Sequence, residues 1–158
     1  MKSDMMPSRR AVLVGVAAGL AAGRPGLAAS LPIVAVTKDP SCGCCAKWVD
    51  HLRQAAFTVT VNEGPVNPVK ARLGVPRDLA SCHTALIDGY VIEGHVPAHA
   101  IRRLLAERPK ATGLAVPGMP AGSPGMEVAG REPDIYEVVL FGAEGRGTFA
   151  HYRGVEPA

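Results

Sequence analysis

The sequence predicts an α/β domain of thioredoxin-like layout, with a mixed central sheet flanked by helices. Three observations carry that expectation. Short β-branched runs alternate with segments whose apolar residues recur at helical spacing. The resulting order is β-α-β-α-β-β-α, a layered α/β arrangement. A cysteine cluster, Cys42-Gly43-Cys44-Cys45, follows the first strand at the point where the first helix begins. At 158 residues, 47% hydrophobic and 20% charged, the chain has material for one core and too little for a second.

The elements follow in order. Ile33-Val34-Ala35-Val36 is an apolar, β-branched run and reads as a buried strand. Asp39-Pro40-Ser41 supplies a turn and a helix N-cap. From Cys44 to Ala56, the residues Cys45, Trp48, Val49, Leu52 and Ala56 fall on one stripe, with Lys47, Asp50 and Gln54 elsewhere. Thr58–Val61 alternates and suits a second strand. A short helix over Val66–Leu73 ends at Gly74. Thr84–Ile87 predicts a third strand that turns at Asp88-Gly89 and returns through Tyr90–Ile92. Pro97 starts a helix with Ile101, Leu104 and Leu105 on its core face. A Gly/Pro-rich loop is expected over 113–125, then late strands at Tyr136–Phe141 and Thr148–Arg153.

The formal charge is +3, and its position matters more than its size. Residues 1–29 hold four basic residues and one acidic residue, which leaves 13 of each in 30–158. The body of the chain is neutral, so electrostatics gives no reason to propose nucleic acid as a partner. The N-terminal segment reads as an export signal. Ser8-Arg9-Arg10 is followed by an uncharged run from Ala11 to Gly23, then small residues at Ala28-Ala29-Ser30 suited to cleavage. The paired arginines make it twin-arginine-like, with Sec export the alternative. The run is shorter than the roughly 20 apolar residues of a bilayer span. The membrane then serves only during export, unless the segment stays as an uncleaved anchor. The mature unit is residues 30–158, expected in a bacterial periplasm.

The chemistry concentrates in the cysteines. Cys42 and Cys45 have C-x-x-C spacing across a helix start, where unsatisfied N–H groups and the helix dipole favour thiolate. That pair alone would serve a thiol–disulfide oxidoreductase, with Cys42 the attacking sulfur. Cys44 is superfluous to such a motif. Three thiolates within four residues can converge on one soft metal or bridge several. A structural disulfide with one spare thiol is the plainer alternative. Cys82 lies in Ser81-Cys82-His83, before the third strand, where the layout faces it toward the first helix. It can complete a four-thiolate site with His83 beside it, pack as a small hydrophobe, or form a disulfide back to the cluster.

Beyond residue 29 only Met119 and Met126 remain of five methionines, and both lie in the Gly/Pro loop. Thioethers there are soft ligands suited to Cu(I), or else apolar anchors for the loop. His95 and His99 flank the Pro97 helix; His95 is the better candidate ligand. His51 and His151 read as bystanders, Trp48 and Tyr90 as core or pocket wall, and Asp50 and Arg53 as a solvated helix face.

Five ordered motifs resemble the CopG-type family of exported proteins linked to copper resistance. They are Cys42-Gly43-Cys44-Cys45-Ala46-Lys47-Trp48, Ser81-Cys82-His83-Thr84, Glu93-Gly94-His95-Val96-Pro97, Val116-Pro117-Gly118-Met119-Pro120 and Gly122-Ser123-Pro124-Gly125-Met126-Glu127. The resemblance spans about residues 31–153. It implies a thioredoxin-like domain carrying a cysteine-bridged multinuclear copper cluster on Cys42, Cys44, Cys45 and Cys82, with Cu(I)/Cu(II) redox change. His83, His95, Met119 and Met126 are further candidate ligands. The expectation is a metal-binding, redox-active protein rather than a turnover enzyme, with copper ions and another periplasmic copper-handling protein as partners. Zinc in a Cys-rich tetrahedral site is the less favoured metal, because it leaves the methionine loop unexplained.

Overall fold

The computed structural model describes residues 30–158, so the predicted export segment lies outside the described residues. Among the described residues the elements are β1 (Val34–Lys38), α1 (Gly43–Gln54), β2 (Val59–Glu63), α2 (Val66–Arg72), a 3-10 turn (Arg77–Leu79), β3 (His83–Ile87), β4 (Tyr90–Glu93), α3 (Ala98–Glu107), β5 (Gly113–Ala115), β6 (Ile135–Gly142), β7 (Gly145–Arg153) and β8 (Glu156–Pro157). They form a mixed α/β fold on one eight-stranded sheet, ordered β2-β1-β3-β4-β5-β6-β7-β8. β1 pairs in parallel with β2, and β4 with β5; the other neighbours are antiparallel.

Alternation along the strands sends side chains to both faces of the sheet. On one face Val34, Val36, Ile92, Leu114 and Val138 meet Trp48, Val49 and Leu52 of α1 and Ile101 and Leu104 of α3. The other face carries a smaller cluster of Val91, Ala115, Val139 and Phe141 with Leu79. The middle of the sheet is therefore covered on both sides, and all four residues of β4 are buried. At Asp88-Gly89 both residues have positive φ, 48° and 86°, the geometry that matches a two-residue hairpin to strand twist. This turn sets the register Thr84↔Glu93 through Ile87↔Tyr90.

Five local expectations need correction. The N-cap of α1 is Cys42, while Asp39 instead builds the preceding turn by accepting from the Ser41 amide at 2.9 Å. The α1 stripe ends at Leu52, because the helix stops at Gln54 and Ala56 turns left-handed at φ 61° and is exposed. The expected 113–125 loop begins with a strand, β5, where Gly113 lets the chain lie directly against the β4 backbone at Val91. A short β8 also pairs with β7 after a turn at Gly154, beyond the elements expected from sequence.

His51 is the fifth correction, since it is no bystander. Pro97, the N-cap of α3, offers no side-chain acceptor, and the Ala98 amide instead donates to His51 Nε2 at 3.0 Å. An imidazole on α1 thus satisfies an otherwise orphaned helix-start donor on α3. Burial holds the His51 pKa below its ordinary value, against the opposing pull of Glu127. A protonated ring would have no lone pair for Ala98. For a depressed histidine, stability is present above the unfolded-state pKa of about 6.5 and is lost as pH falls below it. Thermal melts of His51→Ala are expected to show a loss of about 1 kcal/mol at pH 7.5. The parent protein should itself lose stability between pH 7.5 and 5.5, and the variant less. An unchanged slope in the variant would rule out this role.

Candidate metal centre

The β3–β4 hairpin brings two motifs side by side. Because Thr84 faces Glu93, Cys82 and His83 at the start of β3 lie beside Gly94 and His95 at the end of β4. Gly94 has φ +72°, and a Cβ there would sit 2.6 Å from Ser81 Cβ and 2.7 Å from the Val116 carbonyl oxygen. Only glycine permits this approach. The start of α1 supplies the remaining sulfurs. Cys42 caps the helix with its sulfur accepting from the Cys45 amide at 3.4 Å, and Cys42 Sγ lies 3.5 Å from Cys44 Sγ.

Cys42, Cys44, Cys45 and Cys82 bring their sulfurs within 4.8 Å of one another. Cys82, His83 and His95 likewise each place a donor atom within 4.8 Å of the others. The two groups share Cys82, so the six residues form one continuous set of soft and borderline donors. Cys42 and Cys45 are joined as a disulfide with a Cα–Cα distance of 5.4 Å, while Cys44 and Cys82 are free and partly exposed. Of the disulfide alternatives, the pairing is therefore within the first cluster. Cys82 is neither a closed core residue nor bonded back to α1.

The histidines are set up to present nitrogen to this centre. His95 is buried, and its Nδ1 lies 2.8 Å from the Pro124 carbonyl oxygen. A carbonyl only accepts, so Nδ1 carries the proton and the lone pair falls on Nε2, 3.1 Å from Cys82 Sγ. His83 Nδ1 lies 3.3 Å from the same sulfur, and its Nε2 is buried without a hydrogen-bond partner. Burial, then the neighbouring His95 and Lys70, depress the His83 pKa well below the ordinary range; burial also lowers that of His95, against the Pro124 hydrogen bond and Glu127. Neutral imidazoles are the form that binds metals. Trp48 closes the inner wall, its ring 4.3 Å from that of His83 and its indole N–H donating to the Val96 carbonyl at 2.9 Å. Trp48 is also fully buried in the main core, in keeping with the expectation of core or pocket wall.

The methionine loop folds over the same place by its backbone. Ser81 Oγ donates to the Gly118 carbonyl at 2.5 Å. Gly125, at φ +87°, lies so close to α1 that a Cβ would stand 2.7 Å from the Cys44 carbonyl oxygen and 2.8 Å from the Trp48 amide nitrogen. Met126 is partly buried beside this contact, whereas the Met119 side chain is 54% exposed. His99 is turned away, its Nδ1 2.8 Å from the Tyr152 hydroxyl, and His151 is exposed on β7. Asp50 and Arg53 form a solvated pair, as expected for an outer helix face.

Two solved structures share this architecture. Both are described as copper resistance protein copG. Form 1 is 46% identical, with a TM-score of 0.72 over 78% of this chain and 99% of its own. Form 2 is also 46% identical, with a TM-score of 0.73 over 77% and 98%. The chain belongs to the CopG family of copper resistance proteins. A family described as a protein of unknown function, DUF411, matches residues 79–126, the stretch from the 3-10 turn to Met126. No curated protein matches the chain. The cysteine pattern Cys42 to Cys45 and the copper-resistance relatives agree with the resemblance read from the motifs.

A CopG-family centre of this geometry has a defined acid–base character. Burial pushes the Cys82 thiol up to about 11, with Cys44 adding like-charge repulsion and Ser81 opposing. In metal-free protein Cys82 is then a thiol at neutral pH, positioned to donate to His95 Nε2. Peptide-resolved alkylation of metal-free protein should label Cys82 slowly at pH 7 and reach half its limiting rate near pH 11. Half-maximal labelling near pH 8.5, the ordinary thiol value of about 8.5, would mean that the site is not dry.

Proposed function

We propose that this is a periplasmic copper-binding protein that holds copper ions in a cysteine-bridged cluster and acts in copper resistance with Cu(I)/Cu(II) redox change. The observation that carries this is the convergence of four cysteine sulfurs within 4.8 Å, with two neutral imidazoles on the fourth. Thiolates match the softness of Cu(I), and bridging sulfur lets four cysteines hold more than one ion. Imidazole nitrogens suit both oxidation states, which supports a redox-active centre over a storage site of sulfur alone. The relatives described as copper resistance proteins support the choice of copper over zinc. Periplasmic export is supported by the signal-like pattern of residues 1–29, and a thioredoxin-like core by the strand order β2-β1-β3-β4 with α1 following β1. Copper exchange with another periplasmic copper-handling protein completes this reading.

The residues divide the work. Cys42, Cys44, Cys45 and Cys82 are the thiolate donors. His95, oriented by Pro124, and His83, backed by Trp48, present nitrogen beside Cys82. Met126 and Met119 stand on the loop that covers the cluster. The Cys42–Cys45 disulfide and a cluster using all four sulfurs exclude each other, because a disulfide sulfur has no thiolate charge to give. An external dithiol reductant, itself oxidised to a disulfide, supplies the two electrons and two protons that convert that bond to two thiols before full loading.

The disulfide also favours a second reading, a thiol–disulfide oxidoreductase using Cys42 and Cys45. One experiment separates the two. Reduced, anaerobic protein titrated against a Cu(I) chelator should bind several Cu(I) ions per chain, and Cys82→Ser should weaken binding by about tenfold or more. Stoichiometric zinc retained in preference to copper would sink the copper reading. Metal-free insulin reduction that survives Cys82→Ser would establish the oxidoreductase instead.

A further inference from the structure

Behind the cluster, on the side away from α1, lies a buried ion pair that the copper chemistry does not itself use. Glu93 is fully buried, and its Oε1 accepts from Lys70 Nζ at 2.5 Å; Lys70 is also buried. Lys70 Nζ donates to Thr84 Oγ1 at 2.9 Å as well, and Thr84 Oγ1 donates to Glu93 Oε2 at 2.6 Å. The carboxylate makes one more contact, and that contact leaves the pair. The Ser81 amide donates to Glu93 Oε1 at 2.6 Å. Ser81 immediately precedes Cys82, and Glu93 lies two residues before His95.

Stability alone does not account for such a pair. Removing two charges from water costs about as much as their attraction returns, and well-packed apolar residues serve as well or better. An apolar pair has no acceptor for the Ser81 amide, however. What the carboxylate adds is a fixed point for the turn that carries Cys82, held from β4 and braced from α2 by Lys70. Gly94 draws the same turn tight from the other side, through its contact with Ser81.

We propose that Glu93 is a positioning residue for the metal centre, clamping the Ser81-Cys82 turn through the Ser81 amide, and that Lys70 and Thr84 hold its carboxylate in place. This rests on the reading of Cys82 as a copper ligand, although the clamp itself acts with or without metal. The carboxylate sets the Cys82 sulfur against His95 Nε2 on one side and the α1 sulfurs on the other. Losing it frees the turn without emptying the core.

Two charge-neutral double variants isolate the acceptor. Lys70→Met with Glu93→Gln keeps a side-chain oxygen for the Ser81 amide. Lys70→Met with Glu93→Met removes it at similar volume. Each is made in full chain and also in a Cys44→Ser background with Cys42–Cys45 oxidised, where Cys82 is the one free thiol. In metal-free protein at pH 8, iodoacetamide should alkylate Cys82 several-fold faster in the methionine double variant, while the glutamine variant stays near the parent. In reduced full chain, Cu(I) affinity by chelator competition should fall by about tenfold or more in the methionine variant and be rescued by glutamine. Equal alkylation rates in the two double variants overturn the clamp, as does an affinity difference that persists in a Cys82→Ser background. Parent protein that binds no Cu(I) while the alkylation rates differ refutes the copper reading and leaves the clamp standing. If the methionine variant does not fold, Thr84→Val, which detaches Oε2, should still accelerate Cys82 alkylation and weaken Cu(I) binding in the same direction. Unchanged values there overturn the clamp.

Discussion

The register of β3 on β4 is the constraint from which the site follows. A two-residue turn at Asp88-Gly89 puts Thr84 opposite Glu93. The hairpin's share of the site then lies at the far end of that ladder. Cys82 and His83 lead into one strand, and His95 follows the other. A slip of one residue would turn each side chain to the opposite face of the sheet. His83 would leave Trp48, and His95 would leave Pro124. The site is therefore specified by a tight turn more than ten ångströms of strand away, at about 3.4 Å per residue. Hydrophobic burial of β4 on both faces holds that register against slippage.

Much of this was legible in the sequence because it depends on local chemistry. The β-branched runs, the α1 stripe through Leu52 and the Asp88-Gly89 turn identify elements from periodicity and turn residues alone. The cysteine cluster announces itself by a third thiol that a disulfide pair does not need. Other features depended on contacts between distant segments. The role of His51 is set by Ala98, 47 positions away. Its place on an amphipathic helix gave no sign of a partner, although the lack of any capping side chain at Pro97 was a signal that some other acceptor was required. β5 was hidden in a Gly/Pro-rich stretch, since its strand character comes from pairing on both sides rather than from propensity. Lys70 and Glu93 are buried and paired only in the folded chain. Nothing in a single sequence marks two charges 23 positions apart as a buried pair.

The centre combines two kinds of environment. Toward α1 the sulfurs of Cys42 and Cys44 are partly exposed at a helix start, Cys42 tied to Cys45 and Cys44 free. Toward the sheet, Cys82 meets neutral, buried rings, and burial opposes its ionisation. Metal-free protein thus keeps Cys82 as a thiol at neutral pH. In the proposed reading, metal occupancy and proton release are coupled at Cys82.

Gly125 carries a consequence for how the centre can be rebuilt elsewhere. Its α-carbon rests against the Cys44 carbonyl and the Trp48 amide with no room for a side chain. The first turn of α1 is therefore shaped by a loop that arrives some 80 positions later. The tetrapeptide from Cys42 to Cys45 is not a portable cassette. Grafted onto another helix start it would bring its sulfurs, but neither the cover that lies over them nor the hairpin that supplies the fourth. A minimal transplant has to carry the helix start, the β3–β4 hairpin and the loop through Met126 as a single piece.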